Sequence, residues 1–309
     1  MSKQGRREFL RDTVLAGAVV GGVAGALSPN RATAIEPIKR DGKPKFKFSL
    51  AAYGYRKLLT GKNPELTIED FIADCAKFEL DGTEPTSYYF KKDCDNDYLR
   101  QLKSLAFRLG LTVSGTAIRN DLCYAKGPKR DENIAHVKKW IDYAEVLGAP
   151  VIRVFSGHTR KGQTVDEAHK LAVEGFEECC DYAGKHGVFL ALENHGGLTV
   201  KIDGILRLMH DVKSPWFGAN LDTGNFYNIS VDDQYKAIAK LAPYALNVQV
   251  KVALNAHGKG GKVPADFKRL ANILKDSAYR GFIVLEYEEK GNPRVVCPKY
   301  LDKLREAFA

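Results

Sequence analysis

From Lys45 onward, short runs rich in β-branched and aromatic residues alternate with longer stretches of helical periodicity, and this alternation restricts the chain more than any other feature. A strand, a covering helix and a further strand build a parallel sheet with helices outside it. Eight runs read as strands: Phe46 to Tyr53, Gly82 to Pro85, Thr112 to Ile118, Val151 to Ser156, Val188 to Asn194, Phe217 to Thr223, Ala245 to Lys251 and Phe282 to Glu288. Between them, apolar residues at helical spacing predict helices over Leu66 to Glu79, Asp97 to Leu109, Asn133 to Leu147, Val165 to Lys185, Ile202 to Asp211, Asp233 to Leu241 and Ala265 to Asp276. Gly110, Gly148 and Gly187 each follow such a pattern, where a left-handed C-terminal cap favours glycine. Eight parallel strands close on themselves and leave no edge. An open doubly wound sheet would carry a Gly-rich phosphate turn after its first strand, whereas the first run here leads into Ala51-Ala52-Tyr53-Gly54-Tyr55. The expected architecture is a single-domain α/β (βα)8 TIM barrel over residues 45–309, entered through an extended lead-in at 35–44.

The segment before the lead-in has the layout of an export signal. Arg6, Arg7 and Arg11 precede a mildly apolar stretch from Thr13 to Leu27, and Ala32-Thr33-Ala34 forms an A-x-A cleavage site. The stretch is too short and too Gly-rich to hold a stable membrane span. Adjacent arginines followed by Phe9-Leu10 look like a twin-arginine signal, so residues 1–34 are expected to be removed after Ala34 and the mature chain delivered, already folded, outside the cytoplasm by the twin-arginine machinery. Those residues hold five basic and two acidic side chains, and their removal lowers the net charge from +9 to +6. The remaining lysines are dispersed, which argues against a nucleic-acid footprint and leaves small anionic substrates open. Six cysteines form no C-x-x-C pair and no zinc-like spacing with histidine, so they read as small core residues. Homo-oligomerisation is left open.

In a (βα)8 barrel the active site forms at the carboxyl ends of the strands. Four consecutive strands end in strongly polar sequence: Leu192-Glu193-Asn194-His195, Leu221-Asp222-Thr223-Gly224-Asn225, Val248-Gln249-Val250-Lys251 and Leu285-Glu286-Tyr287-Glu288. Glu193, Asp222, Gln249 and Glu286 follow one another at 29, 27 and 37 residues, about one βα unit each, which predicts equivalent heights in the barrel. Alternation along a strand puts Asn247, Gln249 and Lys251 on one face and Val284, Glu286 and Glu288 on another. Three carboxylates converging on a narrow axis repel one another unless a positive charge sits between them. A hard divalent cation held by Glu193, Asp222 and Glu286, with the Gln249 amide oxygen as fourth ligand, meets that need. Ion pairs to Lys251 and Arg153 are the competing explanation.

The same four stretches resemble the xylose isomerase-like family of sugar phosphate isomerases and epimerases, over roughly residues 45 to 305. The resemblance implies that Glu193 and Glu286 bind the metal and flank the substrate, and that Asp222 binds the metal. The family's usual histidine is replaced here by Gln249. Losing imidazole should favour Mn²⁺, Mg²⁺ or Co²⁺ over Zn²⁺.

The leading expectation is metal-assisted proton transfer next to the carbonyl of a ketose or keto-sugar, with Glu193 and Glu286 exchanging the proton as base and acid. Lys251 and His195 are assigned to the catalytic set, Lys251 to hold a substrate oxygen and His195 to orient substrate or to cap its glycine turn. Substrate contacts are expected from Tyr53, Glu84, Arg119, Arg153, His158 and Asn225. The same site would also support β-elimination from a keto-sugar or keto-glycoside, which export to a glycoside-rich compartment favours. A metal-dependent nuclease would need more histidines than these strand ends offer, a two-carboxylate glycosidase would need no metal, and a sugar-binding barrel would bind without turnover.

Overall fold

The strand-like runs pair in parallel, as the alternation requires. In the computed structural model, which describes residues 36–256 and 260–309, seven strands run in the order β1 (Lys45–Leu50), β11 (Arg280–Leu285), β8 (Ala245–Val250), β7 (Phe217–Asp222), β6 (Phe189–Glu193), β5 (Val151–Val154) and β4 (Thr116–Ala117). The remaining pair is β2 (Gly82–Thr83) with β3 (Thr112–Val113). A short antiparallel hairpin, β9 (Ala253–Asn255) with β10 (Lys262–Pro264), follows β8. The expectation of a signal segment at 1–34 lies outside the described residues. Among the described residues no helix is long and apolar enough to cross a membrane.

One predicted strand is divided. The run Thr112 to Ile118 breaks at Ser114-Gly115 into β3, which pairs with β2, and β4, which pairs with β5. The break is the seam of the barrel. The Ser114 hydroxyl meets Ser49 Oγ at 2.8 Å, and a Cβ on Gly115 would come within 3.0 Å of Val151 Cγ1 and 3.5 Å of Glu84 Oε2. A side chain at this position would press on β5, and glycine avoids that crowding. Across the other side of β2, Glu84 N donates to Leu50 O at 2.9 Å and Ala52 N to Glu84 O at 3.0 Å, which ties β2 to β1 and closes the ring of eight strand positions.

Helices cover the outside. Val165–Lys185 starts on Thr164, whose hydroxyl accepts from Glu167 N while Glu167 returns to Thr164 N, a capping box that satisfies two orphan donors. Pro128–Leu147 starts five residues earlier than its apolar pattern suggests, because Pro128 can open a helix without needing its missing N–H. It ends as expected at Gly148, with φ of 80° and Ala149 N returning to Ala144 O at 2.8 Å. A last helix, Pro293–Phe308, brings Phe308 edge-on to Phe46 and Phe48 below β1. Strands β5 and β7 are buried along their whole length, consistent with a sheet covered on both faces. All six cysteines are free thiols, five of them buried.

Candidate active site

At the carboxyl ends of the strands a cavity of about 620 Å³ opens, bounded on one side by Glu193, Lys251, Glu286 and Glu288 and on the other by Tyr53, Tyr88, Arg119 and Tyr124. The carboxylates come from strands in the second half of the barrel and the aromatic rings from loops after strands in the first half. Strand alternation sets the depth of each group. On β8, Asn247 and Gln249 point into the barrel interior and Lys251, two residues on, emerges above them at the cavity floor.

Lys251 sits at the centre of the acidic side. Its ammonium donates to Glu286 Oε2 at 2.6 Å and lies 3.2 Å from Asp222 Oδ2 and 3.1 Å from Glu288 Oε1. Burial alone would raise the Glu286 carboxyl, but the charge and hydrogen bond of Lys251 outweigh it and hold Glu286 below the usual carboxylate range. Burial raises the Asp222 carboxyl well above its ordinary value, with Lys251 opposing. Asp222 Oδ1 accepts from Gly224 N at 2.8 Å, while its fully buried Oδ2 has no hydrogen bond despite the nearby ammonium.

Glu193 is held from the other direction. Arg153 Nε lies 2.9 Å from Glu193 Oε2, an ion contact whose N–H is not aimed at the oxygen, and Asn225 Nδ2 donates to Oε1 at 2.8 Å. Asn225 is itself fixed by the Tyr227 hydroxyl at 2.5 Å, and Arg153 donates to Ile118 O and to the Tyr88 hydroxyl. Burial pushes the Glu193 carboxyl up, Arg153 opposes this and the charge of Glu286 adds to it. The two glutamates facing one cavity are therefore shifted in opposite directions.

Beneath the floor lies a second polar layer. Gln249 donates to Glu84 Oε1 at 2.6 Å and accepts from Asn220 Nδ2 at 2.7 Å, while Asn247 donates to Glu84 Oε2 at 2.8 Å. Burial raises the Glu84 carboxyl to about 7, the two amide donors opposing. Glu84 and Gln249 do not line the cavity, and neither does Asp222. The other predicted residues do: Tyr53, Arg119, Arg153, His158, His195, Asn225, Lys251, Glu193 and Glu286. The His195 ring packs 4.7 Å from that of Phe155, while its backbone N–H is bound by Thr199.

Tyr88, Tyr124 and Tyr227 also line the cavity and were not legible, since loop positions carry no periodic signal. Asn220 was findable. It stands two residues before Asp222 on the same strand and so shares its face.

Every group in the predicted ligand set offers oxygen, the lone pair of Asp222 Oδ2 is unused, and the strand ends already stabilise one cation, the Lys251 ammonium. In kind, this set fits a hard divalent ion. In the present arrangement Gln249 is turned to Glu84 and Asn220, Glu193 to Arg153, and the Asp222, Glu286 and Glu288 carboxylates close on the Lys251 ammonium, so that among the described residues no group of three His, Cys, Asp or Glu side chains is arranged to hold a metal ion.

A sequence profile of the xylose isomerase-like TIM barrel family matches residues 72–307. The L-ribulose-5-phosphate 3-epimerase UlaE of Salmonella heidelberg is 27% identical over 186 residues, a match that covers 58% of this chain and 65%, just under two thirds, of that relative. Two solved structures share the fold. The D-psicose 3-epimerase of Clostridium cellulolyticum H10, solved with D-tagatose, superposes with a TM-score of 0.68 at 15% identity, covering 85% of this chain and 99% of its own. The probable 3-DHS dehydratase AsbF of Bacillus anthracis superposes with a TM-score of 0.65 at 16% identity, covering 84% and 98%. With its eight-stranded architecture and a profile match over most of its length, the chain belongs to the xylose isomerase-like TIM barrel family.

Proposed function

We propose that the chain is a sugar epimerase or isomerase that moves a proton at the carbon next to a carbonyl. The observation that carries this reading is the pair Glu193 and Glu286, three strands apart around one cavity, each held by its own cation and shifted in opposite directions. Glu286, kept ionised by Lys251, removes the proton, and the electron pair of the C–H bond passes into the enediolate. Glu193, held toward its protonated form by burial, returns a proton from its own side. Delivery to the same carbon gives epimerisation, and delivery to the former carbonyl carbon, with the hydroxyl proton of the deprotonated carbon passing to the former carbonyl oxygen, gives aldose–ketose interconversion. In this reading Lys251 and His195, which line the same cavity, hold substrate oxygens. The epimerase named among the relatives supports this reading.

The site would hold a divalent cation through Glu193, Asp222 and Glu286, with Mn²⁺, Mg²⁺ or Co²⁺ the best match to oxygen donors, while Gln249 stays engaged with Glu84 and Asn220 in the layer beneath. When bound, the ion supplies Lewis-acid polarisation of the carbonyl. The test follows deuterium uptake from D₂O into a ketose substrate. Glu193→Gln and Glu286→Gln should each slow exchange by roughly 10²–10⁴-fold. Exchange at the wild-type rate in either variant would sink the assignment. Mass analysis of products separates this reading from β-elimination, which releases water or an aglycone.

A further inference from the structure

The chain leaves β7 through Thr223-Gly224-Asn225-Phe226-Tyr227-Asn228. Phe226 is buried in the core, while its two neighbours, Asn225 and Tyr227, both line the cavity. The turn is fixed on either side of them. Gly224 N is bound by Asp222 Oδ1 at 2.8 Å, and a Cβ on Gly224 would fall 2.5 Å from Lys251 Cγ. At Asn228 the backbone turns left-handed, with φ of 61°, a conformation that asparagine adopts more readily than most residues.

Within that frame Tyr227 reaches back to the residue two before it. Its hydroxyl donates to Asn225 Oδ1 at 2.5 Å, and Asn225 Nδ2 donates to Glu193 Oε1 at 2.8 Å. Among the described residues this is the one hydrogen bond made to the Glu193 carboxylate, since the Arg153 Nε–H is not aimed at it. The two ends of an amide are nearly equal in size, so shape alone does not stop Asn225 from turning its oxygen toward Glu193. The tyrosine decides between the two orientations. A hydroxyl that donates to Oδ1 keeps that oxygen on the far side and leaves the N–H facing the carboxylate. Burial, with the charge of Asp222 adding to it, pushes the Tyr227 phenol up to about 12, so it keeps the proton it donates. With Oε1 already accepting an N–H, a proton on Glu193 belongs on Oε2, because two hydrogens would otherwise meet.

We propose that Tyr227 is a positioning residue for the proton transfer: by orienting the Asn225 amide it fixes which oxygen of Glu193 delivers the proton. This assignment rests on the proton-transfer reading and adds the group that aims its second carboxyl.

The test uses the purified chain with Mn²⁺ and two ketohexoses, D-fructose and D-tagatose, in D₂O. Tyr227→Phe keeps the ring and removes the hydroxyl. Glu286 still takes the substrate proton, exchanges it with solvent and returns deuterium to the same face, whereas delivery from Glu193 is misaligned. Product formation should fall roughly three- to tenfold, the scale of one hydrogen bond, with KM unchanged and deuterium uptake into recovered substrate maintained. In an Asn225→Ala background the same substitution should have no further effect. A raised KM with unchanged kcat, or a loss that persists without Asn225, would mean that Tyr227 touches substrate directly. Exchange and product formation falling together would mean a loss of structure. Either result, or unchanged product formation, overturns the positioning role. A second readout follows the Asn225 side-chain amide by NMR, identified by its absence in Asn225→Ala. Its exchange with solvent should speed up roughly three- to tenfold in Tyr227→Phe, and an unchanged rate overturns the proposal. If neither ketose exchanges its proton in the wild type while Tyr227→Phe still frees the amide, the chain from Tyr227 through Asn225 to Glu193 stands and the proton-transfer reading fails for ketohexoses.

Discussion

The ammonium of Lys251 lies within 3.2 Å of three carboxylates, those of Asp222, Glu286 and Glu288, at a depth where the lysine is only 7% exposed. Removing one partner of such a cluster leaves the others buried and uncompensated, at a cost of about 3–5 kcal/mol. Lys251→Met should therefore lower stability by that order. A divalent ion drawn to the same oxygens would meet the ammonium, since two cations cannot share them at these distances. Metal should thus bind the variant more tightly than the wild type. Denaturant unfolding with and without Mn²⁺ measures both effects, and the gain from Mn²⁺ should be larger in Lys251→Met. An equal gain in both proteins would show that lysine and metal do not compete for these carboxylates.

The third strand position shows how an element can be read in the sequence and still be misjudged in detail. Its β-rich composition announced a strand at Thr112 to Ile118, but the break at Ser114-Gly115 depends on Val151 and Glu84, which arrive from other strands. Gly115→Ala would press a methyl group to 3.0 Å from Val151 Cγ1 and 3.3 Å from Val151 O, an overpacking that costs about 1–3 kcal/mol. Val151→Ala removes the side-chain part of the clash. The double variant should be more stable than the sum of the single losses predicts, by roughly 0.5 kcal/mol or more. Strict additivity would mean that the backbone oxygen, not the side chain, enforces the glycine. The same reasoning separates what was legible in the site from what was not. Glu193, Asp222, Lys251 and Glu286 stand at strand ends, where alternation and βα spacing fix height and face. The partners of Gln249 depend instead on how β8 slides against its neighbours. A register shift at Ala219/Asn220 sets Asn220 beside Asn247, and Glu84 reaches both amides of β8 across the interior. No local pattern encodes that meeting.

At the scale of the whole barrel, Glu84 is a cross-brace. It follows β2 and accepts hydrogen bonds from Asn247 and Gln249 of β8, strands that are not neighbours in the sheet, so its carboxyl joins two sides of the ring through the interior. Burial raises this carboxyl to about 7, against roughly 4.3 in an unfolded chain. A folded-state value above the unfolded one means that the native protein holds a proton the unfolded chain releases. The stabilisation is therefore complete below about pH 4.3 and is lost as pH rises toward 7, with a total on the order of 3 kcal/mol. In Glu84→Gln the side chain keeps its shape and cannot titrate. For EDTA-treated protein, the stability of the wild type relative to Glu84→Gln should fall between pH 5 and pH 8. Because the prediction concerns slope, a constant offset from re-pairing Asn247 and Gln249 around the substituted side chain does not affect it. Urea unfolding at each pH gives the comparison. Parallel pH profiles for the two proteins would mean that Glu84 is ionised in the folded barrel at neutral pH and that Asn247 and Gln249 stabilise its charge more than burial opposes it.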